Sequence, residues 1–284
     1  MKPILSLFLA AAVAGVATSC STAASSPPKP IRALLVVGGG FHDYAAQKEI
    51  LKKGLEARAN LVVDICYTPA PGGATKTRFD CYTNANWTAG YDVVIHDECS
   101  ADVNDVPYIR NIVDAHKKVP AVNLHCAMHC YRVGNPGEPV KELGTPHGMW
   151  FEFLGIQSSG HGPQEPISIE FAPHPVTKGL TNWTTIKEEL YNNVRVFETA
   201  TSLARGKQVL RGRDGQERTE DKVVVWVNDF HGTRVFNTTL GHNNATVADP
   251  RYLDLVTRGL LWSVDKLDAN GRPKKGYGPA SMAK

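Results

Sequence analysis

Over the first half of the chain the hydrophobic positions fall in short, nearly continuous runs separated by amphipathic stretches. The run 31–37 (IRALLVV) ends at Gly38-Gly39-Gly40 and predicts a buried parallel strand closed by a tight turn. Over 45–57 (AAQKEILKKGLEA), Ile50, Leu51 and Leu55 share one face with Lys and Glu opposite, which predicts a helix. A strand at 61–67 completes a βαβ unit. The run 91–96 (YDVVIH) is a third strand, Asn104 and Asp105 cap a helix reaching His116, and 120–124 (PAVNL) is a fourth strand.

This alternation predicts an α/β domain built on a doubly wound, mostly parallel sheet with helices on both faces. Ligands of such sheets bind beyond the carboxyl ends of the strands. There the sequence places Phe41-His42-Asp43, His96-Asp97-Glu98 and the stretch from His125 to His129, so three polar loops are expected at one rim. The second half is less regular. Residues 167–171 alternate like a strand, 223–227 and 234–240 resemble a hairpin, and 253–264 predict a closing helix. The polar, Gly-punctuated segment 206–222 reads as an exposed hairpin loop, and the tail 268–284 is expected to be loosely held.

The N-terminus changes the picture of where the domain begins. Residues 1–20 carry Lys2, an apolar run over 4–16, and Ala17-Thr18-Ser19-Cys20, the layout of a secretory signal. The run is shorter than the ~20 residues a bilayer span needs. A Cys behind small residues matches a bacterial lipobox, which implies acylation at Cys20 and a membrane anchor in the envelope or periplasm, with ordinary cleavage as the alternative. Residues 21–30 (STAASSPPKP) have the composition of a tether, leaving 31–267 as the folded domain. The net charge of +3 is dispersed, with no Lys/Arg run to track a phosphate backbone, which excludes nucleic acid as the natural partner class. Besides Cys20 the chain has Cys66, Cys81, Cys99, Cys126 and Cys130, an odd set, so one thiol stays unpaired. Cys66 and Cys81 flank a Pro/Gly-rich stretch and are the first choice for a disulfide.

Ten histidines are present, and His42, His96, His125, His129, His161 and His242 lie beside glycines or at strand ends. Neutral imidazole ligates metals and is a natural acid/base near neutrality, so a cluster with Asp97 or Glu98 suits either role. His42, His125 and Asp97 are the candidate ligands of a divalent metal such as zinc, though no HExxH or CxxC motif stands behind them. His161, between Gly160 and Gly162, is expected on a mobile loop. Glu188, Glu189 and Tyr191 are candidates to reach the pocket, and Gly39 and Gly40 to approach a ligand through their backbone. Trp87, Trp150, Trp183 and Trp226 are candidate sugar-stacking platforms whose default role is packing.

The pieces VVGGGFHDY, YDVVIHDE, PAVNLHCAMH, APHPVTKGL, EELY, FHGTRVFNTTLGH and YLDLVTRGLLW, in this order over 31–264, resemble a ThuA-like (trehalose-utilisation) domain. The resemblance implies a fold similar to class I glutamine amidotransferases and a link to sugar metabolism. In those enzymes the turn after the fourth strand presents a nucleophilic Cys between glycines. The matching position here is His125, and Cys126 after it lacks the flanking glycines and reads as a small buried hydrophobe. The resulting expectation is an enzyme acting on a carbohydrate or oxidised (keto) sugar, with His42, Asp97, His125 and His242 carrying acid/base or metal-assisted chemistry. Hydrolysis, isomerisation or elimination fits. Gly39, Gly40, Glu98, His129, His161, Glu189 and Tyr191 are expected around the sugar. The alternative is a sugar-binding lipoprotein that holds its ligand without turning it over.

Overall fold

The computed structural model describes residues 28–70, 73–212 and 214–279. The signal segment, Cys20 and most of the tether lie outside the described residues. Five strands run parallel: β1 (Ile31–Gly39), β2 (Leu61–Pro69), β3 (Val93–Cys99), β4 (Ala121–Leu124) and, last in the chain, β9 (Thr233–Thr238). Between β4 and β9 come four long strands, β5 (Ile156–Phe171), β6 (Trp183–Val196), β7 (Ala200–Arg211) and β8 (Glu217–Phe230). They extend the sheet antiparallel, in the order β2-β1-β3-β4-β9-β8-β7-β5-β6. The fold class is therefore α/β with a mixed nine-stranded sheet, and the expectation of a mostly parallel sheet holds for its first five strands only.

β1 shows why the parallel strands were apolar throughout. Ile31, Ala33, Leu35 and Val37 pack on one side with α1 (Tyr44–Glu56) and α5 (Pro250–Ser263). Leu34 and Val36 pack on the other with α2 (Val106–Ala115) and α3 (Met149–Leu154). Helices thus cover both faces, and no position of β1 after Arg32 meets water. Asp43, Asp105 and Asp249 cap α1, α2 and α5 by accepting from backbone amides in the first turn. A four-residue helix, α4 (Asn244–Val247), precedes α5.

Segment 206–222 is not a loop. Its polar residues are the outward positions of β7 and β8, where Arg205 meets Asp221 and Arg211 meets Glu217, both at 2.8 Å, while Gln208 and Leu210 face inward. Beyond α5, the tail expected to be loose is pinned over its described part. Leu267 pairs with Pro273, the Asn60 amide donates to the Tyr277 carbonyl, and the Asn60 side chain donates to both Gly276 and Pro28.

Cys66 and Cys81 form the expected disulfide. A second, Cys99–Cys126, was not legible in the sequence. Cys99 ends β3 and Cys126 follows β4, and adjacent parallel strands bring the two Cα atoms to 5.2 Å. Cys126 is thus a bonded cystine half, and Cys130 is the buried free thiol among the described residues. No described helix is long and apolar enough to cross a membrane.

α5 lies so close to β9 that a Cβ on Gly259 would enter the Phe236 ring. Gly259→Ala gains at most about 1 kcal/mol of helix propensity and loses about 1–3 kcal/mol to overpacking. We expect a net drop in the urea midpoint with an unchanged slope; a stabilised variant would mean the helix is free to shift.

Candidate functional site

Gly38 and Gly39 adopt φ of +139° and +89°, and a side chain on Gly39 would strike the Cys99 backbone. The Gly40 amide donates to the Cys99 carbonyl at 3.2 Å. Gly39 and Gly40 therefore seat β1 against the end of β3 and do not line the cavity. The turn delivers Phe41, itself at φ +77°, and His42 to the rim. β4 delivers His125, which sits at φ +43° directly after Leu124. This sharp elbow presents a histidine, without the glycines that ease such a backbone. β9 leads through Thr239 to His242. From the antiparallel half, β5 and β6 add a wall. Register shifts on both sides of His161 mark bulges, which set His161 opposite Tyr191 and Gln164 opposite Glu189.

These elements enclose a cavity of about 530 Å³ lined by Phe41, His42, His129, His161, Glu189, Tyr191 and His242 among others. His125 is buried behind this lining, against the rings of His42, Tyr191 and His242. Its Nδ1 donates to the Thr239 carbonyl at 2.7 Å, so Nε2 is the bare nitrogen, 3.4 Å from the Tyr191 hydroxyl and 3.5 Å from Glu189 Oε2. The His42 ring lies edge-on to both other rings, at centroid distances of 4.7 Å from His125 and 4.9 Å from His242. Ligand-capable atoms of His42, His125 and His242 all lie within 4.8 Å of one another. Nδ1 of His42 and Nδ1 of His242 are buried without a hydrogen-bond partner among the described residues. His242 Nε2 is 2.8 Å from the Gln164 amide nitrogen, and its Nδ1 is 3.2 Å from Glu189 Oε1, though not aligned to donate. Glu189 Oε2 also faces His161 Nε2 at 3.5 Å, while His161 Nδ1 donates to the Gly162 carbonyl at 2.8 Å. His129 stacks on Tyr191 at 4.1 Å and bonds Ser158.

Burial pushes His42 down to about 3, with His125 and His242 adding to the effect and Glu189 opposing it. Burial would raise Glu189, but the closeness of His125, His242 and His161 holds it below the usual carboxylate range. The same carboxylate raises His242 above the ordinary imidazole value. The site in its resting state is one fixed anion among histidines, with His42 neutral.

The parity of β3 divides the His96-Asp97-Glu98 triplet. Asp97 faces the side of Val93 and Ile95, behind the cluster. It is absent from the three-histidine group, so His242 takes the place expected for it among the candidate metal ligands. Its Oδ2 is buried without a partner, and burial raises it to about 7, with Glu98 adding and His125 opposing. Glu98 and His96 point into the opposite core, away from the cavity. There His116 Nδ1 donates to the Val119 carbonyl (2.9 Å), which leaves its Nε2 to accept from His96 Nε2 (2.9 Å). His96 Nδ1 is then an acceptor facing Glu98 Oε1 at 2.8 Å, and Glu98 also accepts from Tyr82 and Tyr131. His161 lies on β5 rather than a mobile loop. Trp87, Trp150 and Trp226 are buried, and Trp183 sits under the Arg251 guanidinium, so none is a platform. The aromatic at the mouth is Phe41, 67% exposed. Sequence reasoning missed Gln164, Arg132 and the Cys99–Cys126 wall, all of which depend on pairing across distant segments.

The sequence pattern of the ThuA family, described as trehalose utilisation, matches residues 76–263. No curated protein matches the chain in sequence. Among solved structures, a ThuA-like protein from Parabacteroides merdae ATCC 43184 superposes with a TM-score of 0.59 at 18% identity, over 88% of this chain and 97% of that one, which shows a shared fold. A GMP synthase protein from Thermoplasma acidophilum gives 0.45 at 10% identity, over 83% and 96%. A cytoplasmic protein from Salmonella typhimurium LT2 gives 0.46 at 11%, over 84% and 100%.

The buried groups set opposing pH dependences in the metal-free chain. Burial lowers His96 to about 3, as it does His42, and also depresses His116 and His129. As pH falls below about 6.5 the unfolded chain takes up protons these imidazoles refuse, and stability falls. Asp97 and Glu98 are raised to about 7 and about 8, both mainly by burial. As pH rises from about 4 toward those values the unfolded chain has released protons the fold keeps, and stability again falls. Below about 6.5 the imidazoles outnumber the carboxyls. We therefore expect the urea midpoint, measured with chelator, to peak near neutrality and Glu98→Gln to flatten its alkaline limb; a midpoint still climbing toward pH 8 in the parent would contradict the neutral Glu98–His96 pair.

Proposed function

The chain belongs to the ThuA (trehalose-utilisation) family, and from that premise we propose an exported, lipid-anchored enzyme that acts on a carbohydrate or keto-sugar in the histidine cavity. The observation that carries this reading is the meeting of His42, His125 and His242 around one point, with Glu189 beside them.

The donor set fits a divalent ion such as zinc. Three imidazoles are the ligand type of some catalytic zinc sites, and His42, His125 and His242 would hold such an ion. His42 is neutral, Nδ1 of His42 and Nδ1 of His242 have no hydrogen-bond partner among the described residues, His125 Nε2 has only contacts of 3.4 and 3.5 Å, and the His125 tautomer is fixed from behind by Thr239. Bound there, the ion supplies a Lewis acid for a hydroxyl or carbonyl oxygen of the sugar.

The protein supplies the proton chemistry. His161 Nδ1 is committed to Gly162, so its Nε2 is the free base, and its side chain is 40% exposed to the cavity. When Nε2 accepts a proton from the sugar, the new positive charge forms 3.5 Å from the Glu189 carboxylate, which is already ionised. Glu189 is therefore the orienting anion and His161 the base. Phe41 offers its exposed face to the C–H side of a sugar ring.

Elemental analysis of the chain from Pro27 onward, purified without a histidine tag or chelator, should find near-stoichiometric zinc or a similar ion, lost in His42→Ala and His242→Ala. A chain that cannot be loaded would remove the metal from the reading. With keto-sugars and glycosides as substrates, His161→Ala should lower kcat by about 10²–10⁴ while metal content and KM stay near the parent values; unchanged turnover would rule His161 out as the base.

A further inference from the structure

The histidine cavity has a neighbour. A second hollow of about 760 Å³, lined by Lys76, Arg78 and Arg132, shares Ala101, Asp102 and Arg132 with it. Arg132 stands at the junction. Its Nε is shut off from solvent and has no hydrogen-bond partner, and its guanidinium makes no ion pair among the described residues. The other cations nearby differ in their commitments. Arg78 is paired with Asp105 at 2.6 Å, and Lys76 is in no ion pair among the described residues. The anions that face this region are Asp102, whose carboxylate accepts from the Thr75 hydroxyl, and Glu189, which is held by three imidazoles. Neither lies within ion-pair distance of Arg132, so both cavities are left with an unmatched positive charge between them.

With its Nε shut off from solvent and unpartnered, the half-buried guanidinium of Arg132 has lost part of its hydration, and an oxyanion that takes up its remaining N–H donors offsets that loss. Burial also pushes Arg132 below its ordinary value, despite the raising effects of Cys130, Tyr191 and Asp102. We propose that Arg132, assisted by Lys76, anchors an oxyanion substituent of the substrate, so that the sugar taken by the histidine cavity is a sugar acid or a sugar phosphate rather than a neutral sugar. The inference deepens the reading above and rests on it for the sugar, but not for the anion. The charged group sits at the junction, and the ring extends past His129 and Tyr191 toward His161. Arg132 is thus a binding residue that selects by charge, and Lys cannot fully replace it, because an ammonium does not offer the planar fork.

The test uses the full chain, labelled with ¹⁵N, with the Arg132 Nε–H resonance assigned by its loss in Arg132→Lys. Inorganic phosphate and acetate are titrated separately, and at least one should move that resonance saturably in the millimolar range. Gluconate is then compared with sorbitol, and glucose 6-phosphate with glucose. The pair showing the preference identifies the anion as carboxylate or phosphate. In the parent chain the charged member should bind at least about tenfold more tightly than the neutral one. Arg132→Gln should bring the two within about twofold, and Arg132→Lys should retain part of the preference. An Arg132 resonance silent to both anions, or a preference that survives Arg132→Gln, overturns the proposal. A responsive Arg132 in a chain whose histidines take up no metal supports this inference and overturns the metal-based reading; metal uptake with a silent Arg132 does the reverse.

Discussion

A single hydrogen bond, from Nδ1 of His125 to the carbonyl of Thr239, sets the chemistry of the site. It joins the exits of β4 and β9, which are neighbours in the sheet, and decides which imidazole nitrogen is bare. The backbone at His125 is held in the left-handed region to make that bond, a conformation that costs of order 1–3 kcal/mol in a non-glycine residue. Tyr252 and the Cβ of His125 both crowd Gly241, so the β9 exit is pressed against the same elbow. If the ring turned over, Cδ2–H would take the place of Nδ1–H against the Thr239 carbonyl, the hydrogen bond would be lost, and Nε2 would swap places with Cε1 and leave the cluster.

The two halves of the sheet contribute differently. Parallel strands deliver loops to one end by their shared direction, which is how His42, His125 and His242 arrive from segments far apart in sequence. Antiparallel strands lack that shared direction, and β5 and β6 reach the site with their middles instead of their ends. The irregular register around His161 is what allows a strand face to contribute an imidazole and, three residues later, an amide to the same point. The carboxylate that all these groups share, Glu189, therefore comes from a strand that the parallel core does not contain.

The sequence made the parallel half legible because strands buried on both faces leave unbroken apolar runs, as in 31–37 and 120–124. It concealed the outer half, where one face meets water and the inward residues alternate with charges, so that 206–222 resembled a loop. The same alternation explains the split fate of His96-Asp97-Glu98. With Val93 and Ile95 as a guide, only every second residue of β3 can face the side of His125, and parity alone would have turned His96 and Glu98 toward the opposite core. His42, His125 and His242 were visible as strand-end histidines. Arg132 and Gln164 carried no such signal, since their importance lies in what stands across from them. The Cys99–Cys126 bond was likewise a matter of strand adjacency, which residue spacing does not encode.

The way the first and last described segments are tied together has a bearing on how the molecule faces its surroundings. Pro28 and Gly276 are gathered by Asn60, which precedes β2 and accepts from the Ile31 amide at the start of β1, and the cavity opens past the other end of that nine-residue strand, roughly 30 Å away. A lipid on Cys20 would pull on the molecule from the Pro28 end. On the lipid-anchored reading proposed above, the cavity would lie at the end of the sheet away from the anchored end.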